Sequence, residues 1–390
     1  MTLELNRVAA QIDDMGRELA SRARRDGRAL PAARALLSAF AREWDVLRQV
    51  AASPAGQQLR CASPGDEVLD AALPPPPMPA HVTLVASDGS QIFPDRHGLA
   101  FYYAINIGSI IYCHGTGQAP RVATEPRLCY TEEQIYPGGD PISSDTVGIQ
   151  RNLAEMEVLA DLLLAEAPQG PPCLGLGDGP LLIWLRPGDL PEGRRRQILA
   201  DYLGCLEKLG KAGVPVAGFV SRPHSAEVIA LLYLAHLEPE ARQEVRSLAD
   251  TDYRGLTDRA LFGFLEPGQR SALFVRGTPT NQDFRASGQE IYFFYLNTGS
   301  DLARVEIPQW VACRPAQLDL VHAAVYDQCC FNNGYPYVLT RADEQAVIQG
   351  QERRVLEEML IQAMIRHGLP LPELSRKAQQ KKVARWRRYP

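Results

Sequence analysis

The sequence predicts a mixed α/β fold: a sheet flanked by helices, with a helical segment before it and a further helix after it. Three observations predict it. Short apolar bursts rich in β-branched and aromatic residues, HVTLVASDGS (81–90) and FYYAINIGSIIYC (101–113), read as an initial run of strands. From about residue 147 onward, stretches with helical spacing alternate with short buried-strand patterns such as CLGLGD and VPVAGFVS. A proline run, PPPPMP (74–79), sets this region apart from the helical residues before it.

Taken in order, residues 3–50 read as two helices. Leu5, Val8, Ile12, Met15 and Leu19, then Leu36, Phe40, Trp44 and Leu47, recur at helical spacing, with Gly27 and Pro31 expected to break the run. Residues 1–73 therefore form a helical N-terminal segment, 74–80 a linker, 81–350 the core, and 351–390 a C-terminal helix and basic tail. Within the core, 101–113 suggests two strands hinged near Gly108, and a Pro- and Gly-rich loop runs to about 145. An amphipathic helix follows over about 147–166, then a strand in CLGLGDGPLLIW (173–184) and a helix over about 193–211. VPVAGFVS is a further strand, succeeded by a helix over about 224–236. ALFV, IYFFYLN and ARVEIP supply later strands, and helices over about 315–330 and 342–367 close the fold.

Composition narrows the class. The 390 residues are 45% hydrophobic and 22% charged, close to globular averages, which excludes wholesale disorder and a fibrous protein. That length suggests two domains or one large decorated core. A chain of this size buries roughly 75% of its unfolded surface and needs no staples. No apolar run reaches membrane-spanning length, and the N-terminus mixes acids with bases, so a soluble, cytoplasmic protein is expected. The eight cysteines contain no C-x-x-C pair and read as reduced core thiols. The seven histidines contain no H-x-x-x-H pattern, so any metal site must rest on carboxylates.

Four carboxylates and one tyrosine stand out. Asp88 ends the strand VTLVAS and precedes Gly89; Asp178 ends CLGLG and precedes Gly179. Each Asp-Gly read singly is an ordinary turn, but two at the ends of buried strands suggest a shared purpose. In RNLAEMEVLADLLLAE, Glu155 borders the apolar stripe of Leu159 and Leu162, whereas Glu157 shares its face with Asp161 and reads as more solvated. Asp343 falls where a helix is expected to begin, which also suits an N-cap; Tyr335 lies eight residues earlier in a Gly-Tyr-Pro turn and can donate to a phosphate or pack. Carboxylates converging without histidine suit hard cations, Mn2+ or Mg2+, and two such ions support phosphodiester hydrolysis.

Other signals are weaker. GLGDGP does not complete a dinucleotide fingerprint, and no phosphate-binding G-x-x-x-x-G-K-[ST] occurs, so ATP hydrolysis would fall to a partner. Arg222 and His224, after a buried strand, suit phosphate contact or helix capping. Arg194, Arg195 and Arg196 read as a solvated helix face. The chain carries a net charge of −5, yet from Ser375 onward it has seven bases and no acid. Lys381, Lys382, Arg385 and Arg387, interleaved with Trp386 and Tyr389, suit a grip on DNA, or a solvated terminus.

At these residues the sequence resembles the NurA nuclease family, partner of the HerA DNA-translocating ATPase in DNA end processing. The matching pieces are SDGSQI (87–92), the R-x-x-x-E stretch from Arg151 to Glu155, LGDGPLLIW (176–184), GFVSRPHS (218–225), RVEIPQWV (304–311) and NGYPYVL (333–339). The resemblance implies an RNase H-like core, a homodimer, and manganese-dependent cleavage of single- and double-stranded DNA in end resection and double-strand-break repair. It implies Asp88 as first-strand metal ligand, Glu155 as helix acid, Asp178 as second strand acid and Tyr335 as active-site tyrosine. Where the family often has histidine, this chain has Asp343, which retains metal binding but not a histidine's proton transfer. Two competing expectations are a catalytically weak adaptor of the ATPase and a metal-dependent hydrolase of another phosphoester.

Overall fold

The computed structural model describes residues 4–370 apart from residues 187 and 189. The basic tail, with Lys381, Lys382, Arg385 and Arg387, lies outside the described residues. In chain order the strands are β1 (Ser63–Pro64), β2 (Val82–Ile92), β3 (Tyr103–His114), β4 (Arg121–Cys129), β5 (Cys173–Asp178), β6 (Val216–Ser221), β7 (Phe274–Val275), β8 (Ile291–Asn297) and β9 (Leu302–Pro308). The principal helices are α1 (Leu5–Ala39), α2 (Trp44–Ala52), α3 (Ser144–Glu166), α4 (Glu192–Ala212), α5 (Glu227–His236), α6 (Pro315–Phe331), α7 (Tyr337–Ala346) and α8 (Gly350–Arg366). They form two compact units, and the chain passes between them several times.

One unit comprises Met1–Pro79, Gly179–Leu182 and Val216–Tyr337. Its strands run in the order β1-β7-β8-β9-β6, every pair antiparallel. Helices α1, α2 and α5 cover an aromatic centre in which Phe262 stacks on Tyr295 and Phe274 on Phe293. Asp258 caps α5 by accepting the amide N–H of Val228 and of Ile229, giving orphaned helix donors a charged acceptor. On β9, fully buried Glu306 accepts from Arg276 and the amide of Leu181 and pairs with Arg304. Gly218 leaves room for that passing segment, since a side chain there would meet the Gly179 carbonyl oxygen at 2.6 Å.

The second unit comprises Ala80–Asp178, Ile183–Pro215 and Val338–Pro390. β2, β3 and β4 form an antiparallel meander; α3 then crosses over to β5, which pairs parallel to β2. Three antiparallel strands, a crossover helix and a fourth strand parallel to the first constitute the RNase H-like arrangement. Ser143 caps α3, accepting from the Thr146 amide at 3.1 Å, and the buried face of the helix begins with Val147. Tyr103, Ile105 and Ile107 from β3 pack with Val147, Ala154 and Val158 of α3.

Five local expectations change. Asp88 does not end its strand: β2 continues through Gly89, Ser90 and Gln91 to Ile92, paired with β3 throughout. α1 runs unbroken through Gly27 and Pro31 and ends at Ala39. The proline ring would crowd the carbonyl four residues earlier, and that residue is Gly27, which bears no side chain to restrict adjustment. β3 is one continuous strand, because Gly108 serves close approach rather than a hinge. A Cβ at Gly108 would collide with the Ala346 amide nitrogen and stand 2.5 Å from the Ala342 carbonyl oxygen. The expected loop before residue 145 contains β4, mostly exposed and therefore without an apolar alternation to reveal it. The closing helix is two helices, α7 and α8, and α7 begins at Tyr337, directly after Pro336. Asp343 is consequently mid-helix, not an N-cap.

Candidate active site

Strand β2 organises the site by its pleat. Alternation sends Ser87, Gly89 and Gln91 to the face covered by α3, and Asp88 and Ser90 to the other. On the first face, Ser87 Oγ donates to the Glu155 carbonyl oxygen at 2.9 Å and pins the helix to the strand. Gly89 then matters for what it lacks: a Cβ there would stand 2.6 Å from Glu155 Oε1 and 2.7 Å from Arg151 Cγ. The gap lets the Glu155 carboxyl close against β2 immediately beside Asp88.

On the second face, α7 is tied down by its last residue. Ser90 Oγ and Asn106 Nδ2 both donate to the Ala346 carbonyl oxygen, the latter at 2.9 Å. This anchorage carries Asp343 into electrostatic range of Asp88. Asp178 ends β5, next to β2 in a parallel pair whose register runs from Thr83–Cys173 to Ser87–Gly177. Gly179, with φ +90°, turns the chain sharply after that carboxylate.

The four acids thus come together from β2, α3, β5 and α7, all in one unit. Asp88 and Glu155 are half-buried, whereas Asp178 and Asp343 are exposed. Burial pushes the Asp88 carboxyl up to about 6, the charges of Asp178 and Asp343 add to the rise, and the Gly89 amide donating at 2.7 Å opposes it. Burial also pushes Glu155 up to about 8, with Asp88 and Asp178 contributing, against the lowering effect of Arg151. Glu155 Oε1 is buried and makes no hydrogen bond. Negative charge is therefore under-compensated at these groups, which is the electrostatic condition that a cation relieves.

The residues fit a hard divalent cation by donor chemistry: every candidate ligand is a carboxylate oxygen, two of the four residues are exposed, and one buried oxygen, Glu155 Oε1, accepts no hydrogen bond. Among the described residues no three His, Cys, Asp or Glu side chains already stand in metal-binding geometry, so ion binding would draw the carboxylates inward.

The other sequence candidates have surroundings of their own. Glu157 is engaged by Arg127 of β4 at 2.7 Å, a surface pair distinct from the acid cluster. Tyr335 belongs to the first unit, where its ring packs edge-on against Phe219 at 5.3 Å between centroids. Arg222 in that unit is exposed, adopts φ +46° and pairs with Asp301, which Arg259 also engages; His224 is exposed nearby in sequence. Arg195 and Arg196 pair with Glu192 on the surface of α4. The glycine after Asp88 is marked in the sequence as a place of close approach, and Gly89 serves as one. Ser87 and Arg151 have no role assigned from sequence, although Arg151 precedes Glu155 by one helical turn.

Comparison with known proteins is consistent across the core. Nothing matches among curated proteins. The crystal structure of the NurA nuclease from Sulfolobus solfataricus is 14% identical, covers 73% of this chain and 85% of its own, and superposes with a TM-score of 0.48. A second NurA structure is 12% identical, covers 75% of this chain and 90% of its own, and gives a TM-score of 0.41. A NurA structure bound to dAMP and manganese is 14% identical over 75% of this chain and 90% of its own, with a TM-score of 0.38. A NurA domain family model matches residues 82–348, well over half of the chain, and the chain belongs to the NurA domain family.

Proposed function

We propose that this protein is a divalent-metal-dependent deoxyribonuclease. The observation that carries the reading is the convergence of Asp88, Glu155, Asp178 and Asp343 from four separate elements, with the charges of three of them acting on Asp88 or Glu155. Those four carboxylates would hold two Mn2+ or Mg2+ ions, whose chemistry when bound is to acidify a water and neutralise the leaving oxygen. The chain's own residues set the stage. Gly89 admits the Glu155 carboxyl to the strand, and Ser87 fixes the helix that bears it. Ser90 and Asn106 fix the helix that bears Asp343.

DNA is the substrate class that family membership favours, and a NurA structure with dAMP and manganese supports both nucleotide and metal. In our reading the enzyme acts in DNA end resection and double-strand-break repair beside a HerA-type ATPase and as a homodimer. Arg222, His224 and the basic tail contact phosphates, and Tyr335 orients the scissile phosphate or the attacking water. No helix among the described residues is long and apolar enough to cross a membrane. We place the enzyme in the cytoplasm, where its thiols stay reduced: all eight cysteines are free.

The test is cleavage of end-labelled linear single- and double-stranded DNA with Mn2+, Mg2+ or EDTA, comparing wild type with Asp88→Ala and Asp178→Ala. Manganese-dependent degradation lost in both variants is the expected result. A folded wild type that binds Mn2+ but leaves DNA intact, alone and with the ATPase, would assign the chain an adaptor role instead.

A further inference from the structure

Arg151 reaches the acid cluster from one helical turn before Glu155, and its ion pair with that carboxylate is incomplete. Its Nε lies 3.0 Å from Glu155 Oε1, yet the two are misaligned, and neither atom makes a hydrogen bond. Its terminal nitrogens are held by neutral amides instead: Nη1 donates to Gln91 Oε1 at 3.0 Å and Nη2 to Asn152 Oδ1 at 3.1 Å. Arg270 shows the contrasting arrangement, with both terminal nitrogens on the two oxygens of Glu67 at 2.9 and 2.7 Å. That fork is saturated by a carboxylate. Neutral amide oxygens orient a guanidinium without neutralising it, so the terminal fork of Arg151 is aimed by Gln91 and Asn152 while only its Nε edge faces a carboxylate, Glu155.

The location is equally specific. Gln91 lies on β2 three residues beyond Asp88, and the Gly89 gap admits the Arg151 side chain against that strand. The same strand therefore carries Asp88, the opening for Arg151 and the amide that fixes it. The guanidinium side chain is 30% exposed and so reachable from solvent. A planar fork whose terminal nitrogens rest only on neutral amides, beside carboxylates that would hold divalent ions, matches what a pentacoordinate phosphate requires.

We propose that Arg151 is a catalytic residue that contacts the non-bridging oxygens of the scissile phosphate and stabilises the charge they gain in the transition state. The assignment rests on the nuclease reading above. In the reaction a water oxygen bonds to phosphorus as the bond to the leaving sugar oxygen breaks; the water releases a proton and the leaving oxygen takes one up. Arg151 remains protonated throughout and only donates hydrogen bonds. Gln91 and Asn152 are positioning residues that keep its fork turned away from full capture by Glu155.

The test uses the full chain as Arg151→Met and Arg151→Lys, with Mn2+ binding followed by EPR and cleavage kinetics followed on end-labelled DNA. Arg151→Met should bind Mn2+ at least as well as wild type, because a competing cation is gone. Its kcat should fall about 10²- to 10³-fold with KM changed by less than about threefold, the signature of a contact made in the transition state. A phosphorothioate at the non-bridging position should slow wild type more than Arg151→Met, and Arg151→Lys should recover part of the rate. Unchanged kcat in Arg151→Met would overturn the proposal. So would Mn2+ binding lost in step with kcat, since Arg151 would then serve only to hold Glu155. A wild type that binds Mn2+ without cleaving would sink the nuclease reading itself, whereas a cleaving wild type matched by Arg151→Met sinks only the role of Arg151.

Discussion

Asp88 on β2 stands directly opposite Gly108 on β3 in the antiparallel ladder. The missing side chain at Gly108 is what allows α7 to lie against the sheet behind that pair, with Ala342 and Ala346 in contact range. Two acids distant in sequence, Asp88 and Asp343, are thereby brought together by a glycine that carries no chemistry of its own.

Replacing Gly108 with alanine should therefore act on metal binding as well as stability. The added methyl meets helix backbone rather than a flexible side chain, so α7 must shift at a cost of about 1–3 kcal/mol. Urea unfolding would measure that loss, and a Mn2+ titration should show weakened affinity as Asp343 moves away. Unaltered Mn2+ affinity in a destabilised variant would detach Asp343 from the metal site.

Metal should stabilise the native protein strongly. At a hundredfold excess over Kd, an ion that binds only the folded state contributes about 2.7 kcal/mol per site. Thermal unfolding should thus occur at higher temperature with saturating Mn2+ than with EDTA. Asp88→Asn removes a charge that burial and two neighbouring acids oppose. The variant should unfold no earlier than wild type in EDTA and should lose most of the Mn2+-induced rise.

Acid sensitivity should trace partly to His322. This side chain is 1% exposed on α6 and donates from Nε2 to the Gly268 carbonyl oxygen at 2.7 Å. Burial pushes it down to about 4, from 6.5, so the folded protein keeps it neutral while the unfolded chain takes a proton. Its contribution is complete above pH 6.5 and is lost as pH falls towards 4, amounting to about 2 kcal/mol by pH 5. Urea unfolding at pH 7 and pH 5 should show a smaller difference in His322→Gln, which keeps a donor but does not titrate.

The buried cluster around Glu306 should prove unforgiving. Glu306→Ala leaves two buried arginines, Arg276 and Arg304, with Glu227 as their one remaining shared carboxylate, and frees the Leu181 amide. Breaking one side of such a network costs about 3–5 kcal/mol. Chemical denaturation of wild type and variant measures it directly, and a loss under about 1 kcal/mol, the range of an exposed pair, would show the cluster to be well hydrated.

The sequence made some of this legible because the physics was local. Asp178 ends its apolar run and its strand, so both are visible within ten residues of chain, whereas Asp88 follows an apolar run but sits mid-strand, because β2 continues through a polar stretch to Ile92. Glu155 is visible because a helix displays its stripe at fixed spacing. The rest depends on partners far along the chain. β4 is an exposed edge with Arg121, Glu125 and Arg127 along it, so no alternation marks it as a strand. Pro31 and Gly108 are ordinary breaker signals, overridden by a glycine one turn earlier and by a helix more than two hundred residues later. Asp343 looked like a helix start because the Pro336–Tyr337 boundary lies inside a segment read as a turn.

The origins of the four carboxylates also order events in time. Asp88, Glu155 and Asp178 all precede residue 180, but α7 with Asp343 is synthesised well after them. A polypeptide still emerging from the ribosome can form the β2–β3–β4 meander and dock α3 before α7 exists. If all four acids are needed to retain metal, the nascent chain cannot cut nucleic acid until α7 has been made and has docked on the sheet.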